Sequence, residues 1–185
     1  MISTDEFKNG MTIKLDNELY TIIEFQHVKP GKGGAFVRTK LKNFKQKTVI
    51  ERTFRAGEKI EEAFIEERIL QFLYKSGTTY HFMDHETYEE IVLDERDLGE
   101  SIKFLKDNLE VSGRFYEGRL LEVNVPIFVM LKVEYTEPGL KGDSAKSNSK
   151  SAVLETGATI LVPLFIKSGD MIKVDTRTGE YVSRC

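Results

Sequence analysis

Short runs of alternating or β-branched residues, each soon ended by glycine, proline or an Asn/Asp pair, leave little room in this sequence for long helices. Ile13 and Leu15 alternate with Thr12 and Lys14 ahead of an Asp16-Asn17 turn. Residues 19–28 predict a strand. Residues 35–41 predict its partner, with Val37, Thr39 and Leu41 on one face and Phe36, Arg38, Lys40 and Lys42 on the other. Residues 48–54 add another strand. A second series covers 63–67, 70–75, 79–84 and 88–93, and short strands then continue to about Pro126. A third covers 127–135, 158–162, 170–174 and 180–183, with a hairpin turn at 175–179. Helix is expected in two places. One is a single turn behind the capping box Ser3-x-x-Glu6. The other is 94–108, where Leu98, Ile102 and Leu105 share a helical face and Asp94 can cap. Residues 138–151 read as a long polar loop. The pattern is all-β, and 185 residues divide naturally into three small barrels, marginal alone and steadied by their neighbours.

Hydrophobic content of 40%, with 12 Phe and 7 Tyr, is enough for folded cores. The single cysteine, Cys185, excludes an intramolecular disulfide framework and a multi-cysteine metal site. The first residues lack the basic-then-apolar order of a signal peptide, and no apolar run reaches the ~20 residues of a membrane helix. A cytoplasmic setting without membrane partners is expected.

The net charge of −3 excludes a globally basic nucleic-acid binder but hides a strong asymmetry. Residues 26–55 hold nine basic side chains and one acid, Glu51, so this segment is +8 and the rest of the chain −11. Residues 56–100 hold 13 acids against Lys59, Arg68, Lys75 and Arg96. One reading is a solvated basic face. The other is a phosphate-contacting module joined to acidic modules that limit indiscriminate nucleic-acid binding.

Lys29-Pro30-Gly31-Lys32-Gly33-Gly34 is not a phosphate loop, because the Walker spacing and the following helix are both missing. It is either a plain hairpin turn or a lone ammonium held at the end of a ribbon, where three glycines clear the space around Lys32 and Pro30 stiffens one stem. His81 and His85 sit on a strand pattern with no third ligand in view, so no metal site is assigned. His27 is expected to be a partly buried strand histidine. Glu61-Glu62 and Glu66-Glu67 read as a solvated acidic edge. No Ser-His-Asp or Cys-His arrangement is legible, and an enzyme is not expected. The 139–144 loop fits both a connector and a contact loop.

The stretch Lys29-Pro30-Gly31-Lys32-Gly33-Gly34-Ala35-Phe36 closely resembles the modified-lysine loop of bacterial translation elongation factor P. Thr136-Glu137-Pro138-Gly139-Leu140-Lys141-Gly142-Asp143 is similar to that family too. So are Leu154-Glu155-Thr156-Gly157-Ala158, Val162-Pro163-Leu164-Phe165-Ile166 and the run from Ile172 to Tyr181. The resemblance covers essentially the whole chain. It implies an N-terminal SH3-like, KOW-like barrel over 1–63 and OB-type barrels over 64–126 and 127–185, in an L-shaped arrangement. It implies binding to both ribosomal subunits between the peptidyl-tRNA and exit sites, with peptide bond formation stimulated at consecutive prolines. Lys32 would be the modified residue, lengthened by a lysine-modifying enzyme. Lys32 excludes the arginine-type loop and is compatible with β-lysyl or aminopentanol extensions. Lys29, Pro30, Gly31, Gly33, Gly34, Arg38, Lys40 and Lys42 would face tRNA or ribosomal RNA. Gly142, Asp143 and Ser144 would approach the exit-site mRNA codon, with Ser144 where the family often has Thr. No cofactor or metal is implied beyond the Lys32 extension, and a monomer is expected. A paralogue without stall rescue, a small hydrolase or metal enzyme, and a general RNA-binding OB protein are the rival readings. The last should interleave aromatic platforms with the basic patch, where only Phe36 and Phe44 occur.

Overall fold

The computed structural model describes residues 1–139 and 148–185, which form three β-sheets. The first contains β1 (Ile2–Ser3), β2 (Thr12–Leu15), β3 (Glu18–Val28), β4 (Phe36–Asn43), β5 (Val49–Arg55) and β6 (Lys59–Glu62), in the order β1-β6-β2-β3-β4-β5. The second contains β7 (Glu66–Ser76), β8 (Thr79–Asp84), β9 (Glu90–Asp94), β10 (Glu110–Tyr116) and β11 (Arg119–Asn124), in the order β11-β10-β7-β8-β9. The third contains β12 (Phe128–Thr136), β13 (Ser149–Leu154), β14 (Thr159–Pro163), β15 (Met171–Asp175) and β16 (Glu180–Arg184), in the order β14-β13-β12-β15-β16. By contact the chain forms two compact units. One joins residues 1–66 with 116–121; the other joins 67–115 with 122–185.

Alternation sets which side chains are buried. In β4, Val37, Thr39 and Leu41 are buried while Arg38 and Lys42 are exposed. With Phe7, Ile13, Leu15, Ile22, Phe54 and Ile60, Val37 and Leu41 form the first core, where the Phe7 and Phe54 rings meet edge-on at 5.8 Å. In β12, Val129, Leu131 and Val133 point inward and pack with Leu154, Val162, Ile172 and Val174. The β2–β3 turn places Asp16 and Asn17 at φ of 50° and 66°, the left-handed pair of a tight hairpin. The predicted capping box forms: Asp5 N–H donates to Ser3 Oγ and Ser3 N–H to Glu6 Oε2.

Four sequence expectations need correction. The helix over 94–108 is a single α turn, α1 (Glu95–Leu98), followed by a 3₁₀ segment (Gly99–Phe104). Asp94 caps it as expected, accepting from Arg96 N–H at 3.0 Å. Gly99 at φ 60° then turns the chain out of the helical path, and Leu98, Phe104 and Leu105 reach the interior without a continuous helix. No separate strand forms at 63–67: β6 ends at Glu62 and pairs with β1 and β2, residues 63–65 lie in no strand, and Glu66 and Glu67 open one long β7 that also covers 70–75 and is bulged between Phe72 and Tyr74. The polar loop ends earlier than expected, because Ser149, Lys150 and Ser151 pair with Pro163, Val162 and Leu161; a backbone ladder needs no apolar side chains. His27 is exposed: it lies opposite the buried Val37 on the inward parity of β3, but one residue from the strand end, where the Phe25 ring meets it edge-on at 5.6 Å.

Candidate functional site

The longest paired ribbon of the first sheet is the β3–β4 hairpin, in register from Tyr20↔Asn43 to Val28↔Phe36. Seven residues, 29–35, separate the two strands. A two-residue turn would close such a hairpin, so most of this loop serves something other than chain reversal. Lys32 sits at its middle and is exposed, as are Lys29, Pro30, Gly31, Gly33 and Gly34. Among the described residues no carboxylate or hydrogen-bond acceptor engages the Lys32 ammonium. Gly33 adopts φ +107°, which side chains rarely tolerate. Gly31 and Gly34 are different, because a Cβ there would meet nothing within 4 Å. Those two glycines leave the tip bare without packing requiring it. At the base of the loop Ala56 N–H donates to Ala35 O at 3.0 Å, and Phe36 pairs with Arg55, so β5 braces one stem up to the point where the loop begins.

The outer face of β4 carries Arg38, Lys40 and Lys42, as the alternation predicts. The structure brings them onto one face but does not leave them alike. Arg38 lies between Gln26 and Thr53, and Lys42 between Thr21 and Val49. Lys40 lies between Glu24 and Glu51 and donates from Nζ to Glu24 Oε2 at 2.7 Å. The Glu24 carboxylate beside it holds the Lys40 ammonium above its ordinary value. Arg52 turns to Asp16, 3.3 Å away. Arg55, exposed beside the loop base, adds a cation whose place on this surface its sequence position does not reveal. Only the β4–β5 register could have located it, and no local signal encodes that register.

Gly142, Asp143 and Ser144 lie outside the described residues. His81 and His85 do not converge on a shared site: His81 Nδ1 meets Glu90 Oε1 at 2.5 Å, while His85 Nδ1 lies 3.8 Å from Glu110. Among the described residues no group of His, Cys, Asp and Glu is arranged to hold a metal. Among them, too, no helix is long and apolar enough to cross a membrane.

Three family models tile the chain. Residues 3–60 match the elongation factor P KOW-like domain, 65–123 the elongation factor P OB domain, and 129–184 the elongation factor P C-terminal domain. The elongation factor P of Moorella thermoacetica is 55% identical over 184 residues, covering 100% of both chains. That of Natranaerobius thermophilus is 54% identical, covering 100% of this chain and 98% of its own. The chain belongs to the elongation factor P family. About two thirds of its fold recurs in other solved structures. Translation initiation factor 5A from Methanococcus jannaschii superposes with a TM-score of 0.55 at 27% identity, over 66% of this chain and 92% of that one. A translation initiation factor 5A family protein from Naegleria fowleri, at 16% identity and a TM-score of 0.52, shares the fold over 67% of this chain and 96% of its own. Elongation factor P proteins are translation factors and not enzymes, so this chain is a translation elongation factor. In this elongation factor P chain the KOW-like match contains the whole β3–β4 ribbon, and the bare lysine stands at that ribbon's tip.

Proposed function

We propose that this protein binds the ribosome between the peptidyl-tRNA and exit sites and restores peptide bond formation at consecutive prolines, using Lys32 as an extended positioning arm. The observation that carries the reading is the unpartnered Lys32 at the middle of a seven-residue tip on a paired ribbon, in a chain of the elongation factor P family. Proline is a poor partner in peptide transfer, because its nitrogen is locked in a ring and its φ is fixed. A nascent prolyl end therefore holds the reacting atoms away from attack geometry. Orientation of reactants is worth many kcal/mol, and each ~1.4 kcal/mol recovered is about tenfold in rate.

In this reading Lys32, lengthened by a modifying enzyme, hydrogen-bonds the CCA backbone of the peptidyl-tRNA and holds it in the reactive pose. Lys29, Pro30, Gly31, Gly33 and Gly34 let the arm approach RNA closely. Arg38 and Lys42, with Lys40 between them, hold the first module on tRNA or ribosomal RNA phosphates. The three sheets act as an SH3-like barrel over 1–63 and two OB-type barrels over 64–126 and 127–185. Gly142, Asp143 and Ser144 are assigned to the exit-site codon on the family resemblance. The protein works in the cytoplasm as a monomer and contributes no catalytic group. The ribosome remains the catalyst.

The deciding experiment is translation of a polyproline reporter in a reconstituted system with wild-type protein and Lys32→Ala, alongside intact mass measurement of protein from its native cell. The expected results are loss of rescue with the fold retained, and a discrete mass addition localised to Lys32. Full rescue by Lys32→Ala would refute the assigned role.

A further inference from the structure

The basic face is not a continuous stripe. Three cross-strand rows on the outer surface of β3, β4 and β5 carry Arg38, Lys40 and Lys42, and a fourth beside the loop, Val28–Phe36–Arg55, adds another +1. The row Gln26–Arg38–Thr53 has charge +1 and the row Thr21–Lys42–Val49 has charge +1, whereas the row between them, Glu24–Lys40–Glu51, is −1. Along β4 the two cationic rows are four residues apart, about 13 Å at the usual strand rise.

A backbone irregularity creates the central row. Ile22 pairs with Leu41, but Glu24, not Ile23, pairs with Lys40. In unbroken register Ile23 would oppose Lys40, and Glu24 would oppose Thr39, which is buried. The bulge at Ile23 shifts Glu24 onto the outer face, where its carboxylate reaches Lys40 Nζ at 2.7 Å.

We propose that Glu24, aided by Glu51, is a specificity-determining residue: it keeps a net-negative row between two cationic rows, so the face disfavours a continuous single-stranded phosphate track and accepts folded RNA that presents separated phosphates. This rests on the phosphate-binding role of Arg38 and Lys42 given above. The Lys40–Glu24 contact is well exposed, with 43% and 63% of the two side chains accessible, so a phosphate can compete for the ammonium. Displacing Glu24 does not remove it. Its carboxylate and that of Glu51 stay well within the ~8–10 Å screening length of any phosphate placed on Lys40, so the ligand meets the sum of the row. A strand running along β4 therefore encounters attraction, repulsion and attraction in turn.

The test measures binding of the full-length protein to an unstructured oligouridylate and to purified ribosomes across a salt series. Glu24→Gln is expected to bind the oligouridylate roughly two- to fivefold more tightly near ~0.1 M salt, with a log–log salt slope steeper by ~0.7, the value for one added single-strand phosphate contact. Ribosome affinity should change less, so the preference for ribosomes falls. Adding Lys40→Gln to Glu24→Gln should return the slope to the wild-type value. If Arg38→Gln weakens ribosome binding while Glu24→Gln leaves oligouridylate affinity and slope unchanged, the role of Glu24 is overturned and the phosphate-binding face stands. If Lys40→Gln alone lowers the slope as much as Arg38→Gln, the neutralised row is likewise overturned. If Arg38→Gln and Lys42→Gln leave both ligands unaffected at every salt concentration, the phosphate-binding reading falls and takes this inference with it.

Discussion

Arg68 in the second sheet and Lys32 at the tip of the first are both cations, and their surroundings differ in kind. The Arg68 side chain is 18% exposed, donates from Nη1 to Asp84 Oδ2 at 3.2 Å and stacks 4.5 Å from the Phe115 ring centre. Asp84, 2% exposed, also accepts from Glu86 N–H at 2.8 Å and Thr87 N–H at 3.3 Å. Lys32 has open solvent and glycines. The glycines repeat the contrast. A Cβ on Gly113 would fall 2.7 Å from Leu70 Cδ1, whereas one on Gly34 would meet nothing within 4 Å. A charge or a glycine used for stability is surrounded by its reasons. Under the role proposed for Lys32, a charge or glycine kept for a partner is conspicuous because no contact within its own chain accounts for it.

The sharpest way to break this comparison is to exchange stability against activity. Lys32→Ala should abolish polyproline rescue and leave the urea midpoint unchanged; a shifted midpoint with rescue intact would invert the contrast. Asp84→Ala should do the reverse. It removes a buried carboxylate that accepts from Arg68 and from the Glu86 and Thr87 amides, and should cost about 3–5 kcal/mol by denaturant unfolding. A smaller step comes from Gly113→Ala, where Leu70 and Phe115 must move. It should destabilise by about 1–3 kcal/mol, while Gly34→Ala stays within about 0.5 kcal/mol.

The smallest effect expected is in acid. The Arg177 guanidinium beside Asp175 holds that carboxyl down to about 2. For Asp84 burial pushes upward, but the Glu86 and Thr87 amides and Arg68 outweigh it and leave the value lowered. For both groups the folded value lies below the unfolded one. Their stabilisation is therefore complete above about pH 4, the unfolded carboxylate range, and is lost as pH falls through the folded values. Asp175→Asn should flatten part of that loss in thermal melts between about pH 5 and pH 2. An unchanged acid profile would remove the Arg177 contact from the account.

Much of the fold and the candidate site was legible from local pattern. Strict alternation over Val37, Thr39 and Leu41 assigned inner and outer faces to β4, and the proline and glycines around Lys32 marked a tip that could not continue a strand. The long helix is not legible, because spacing at Leu98, Ile102 and Leu105 does not reveal that Gly99 takes a positive φ of 60°. The basic face is weaker than the segment's charge suggests. Glu24 lies outside the basic window in sequence, and counting charge by segment cannot see across strands. The place of Arg55 is not legible either, because its position beside the loop depends on pairing with Phe36.

What the sequence determined by itself is periodic. A side-chain repeat of two needs only neighbouring residues to declare which are buried, and turn chemistry is confined to the few residues that make the turn. What only the tertiary structure decided is register. The extra residue at Ile23 shifts every later residue of β3 by one place against β4, and moves Glu24 from the parity of the buried Thr39 to that of Lys40. Such a shift arises from the competition of whole strands for pairing and burial, and no single stretch of the chain contains it.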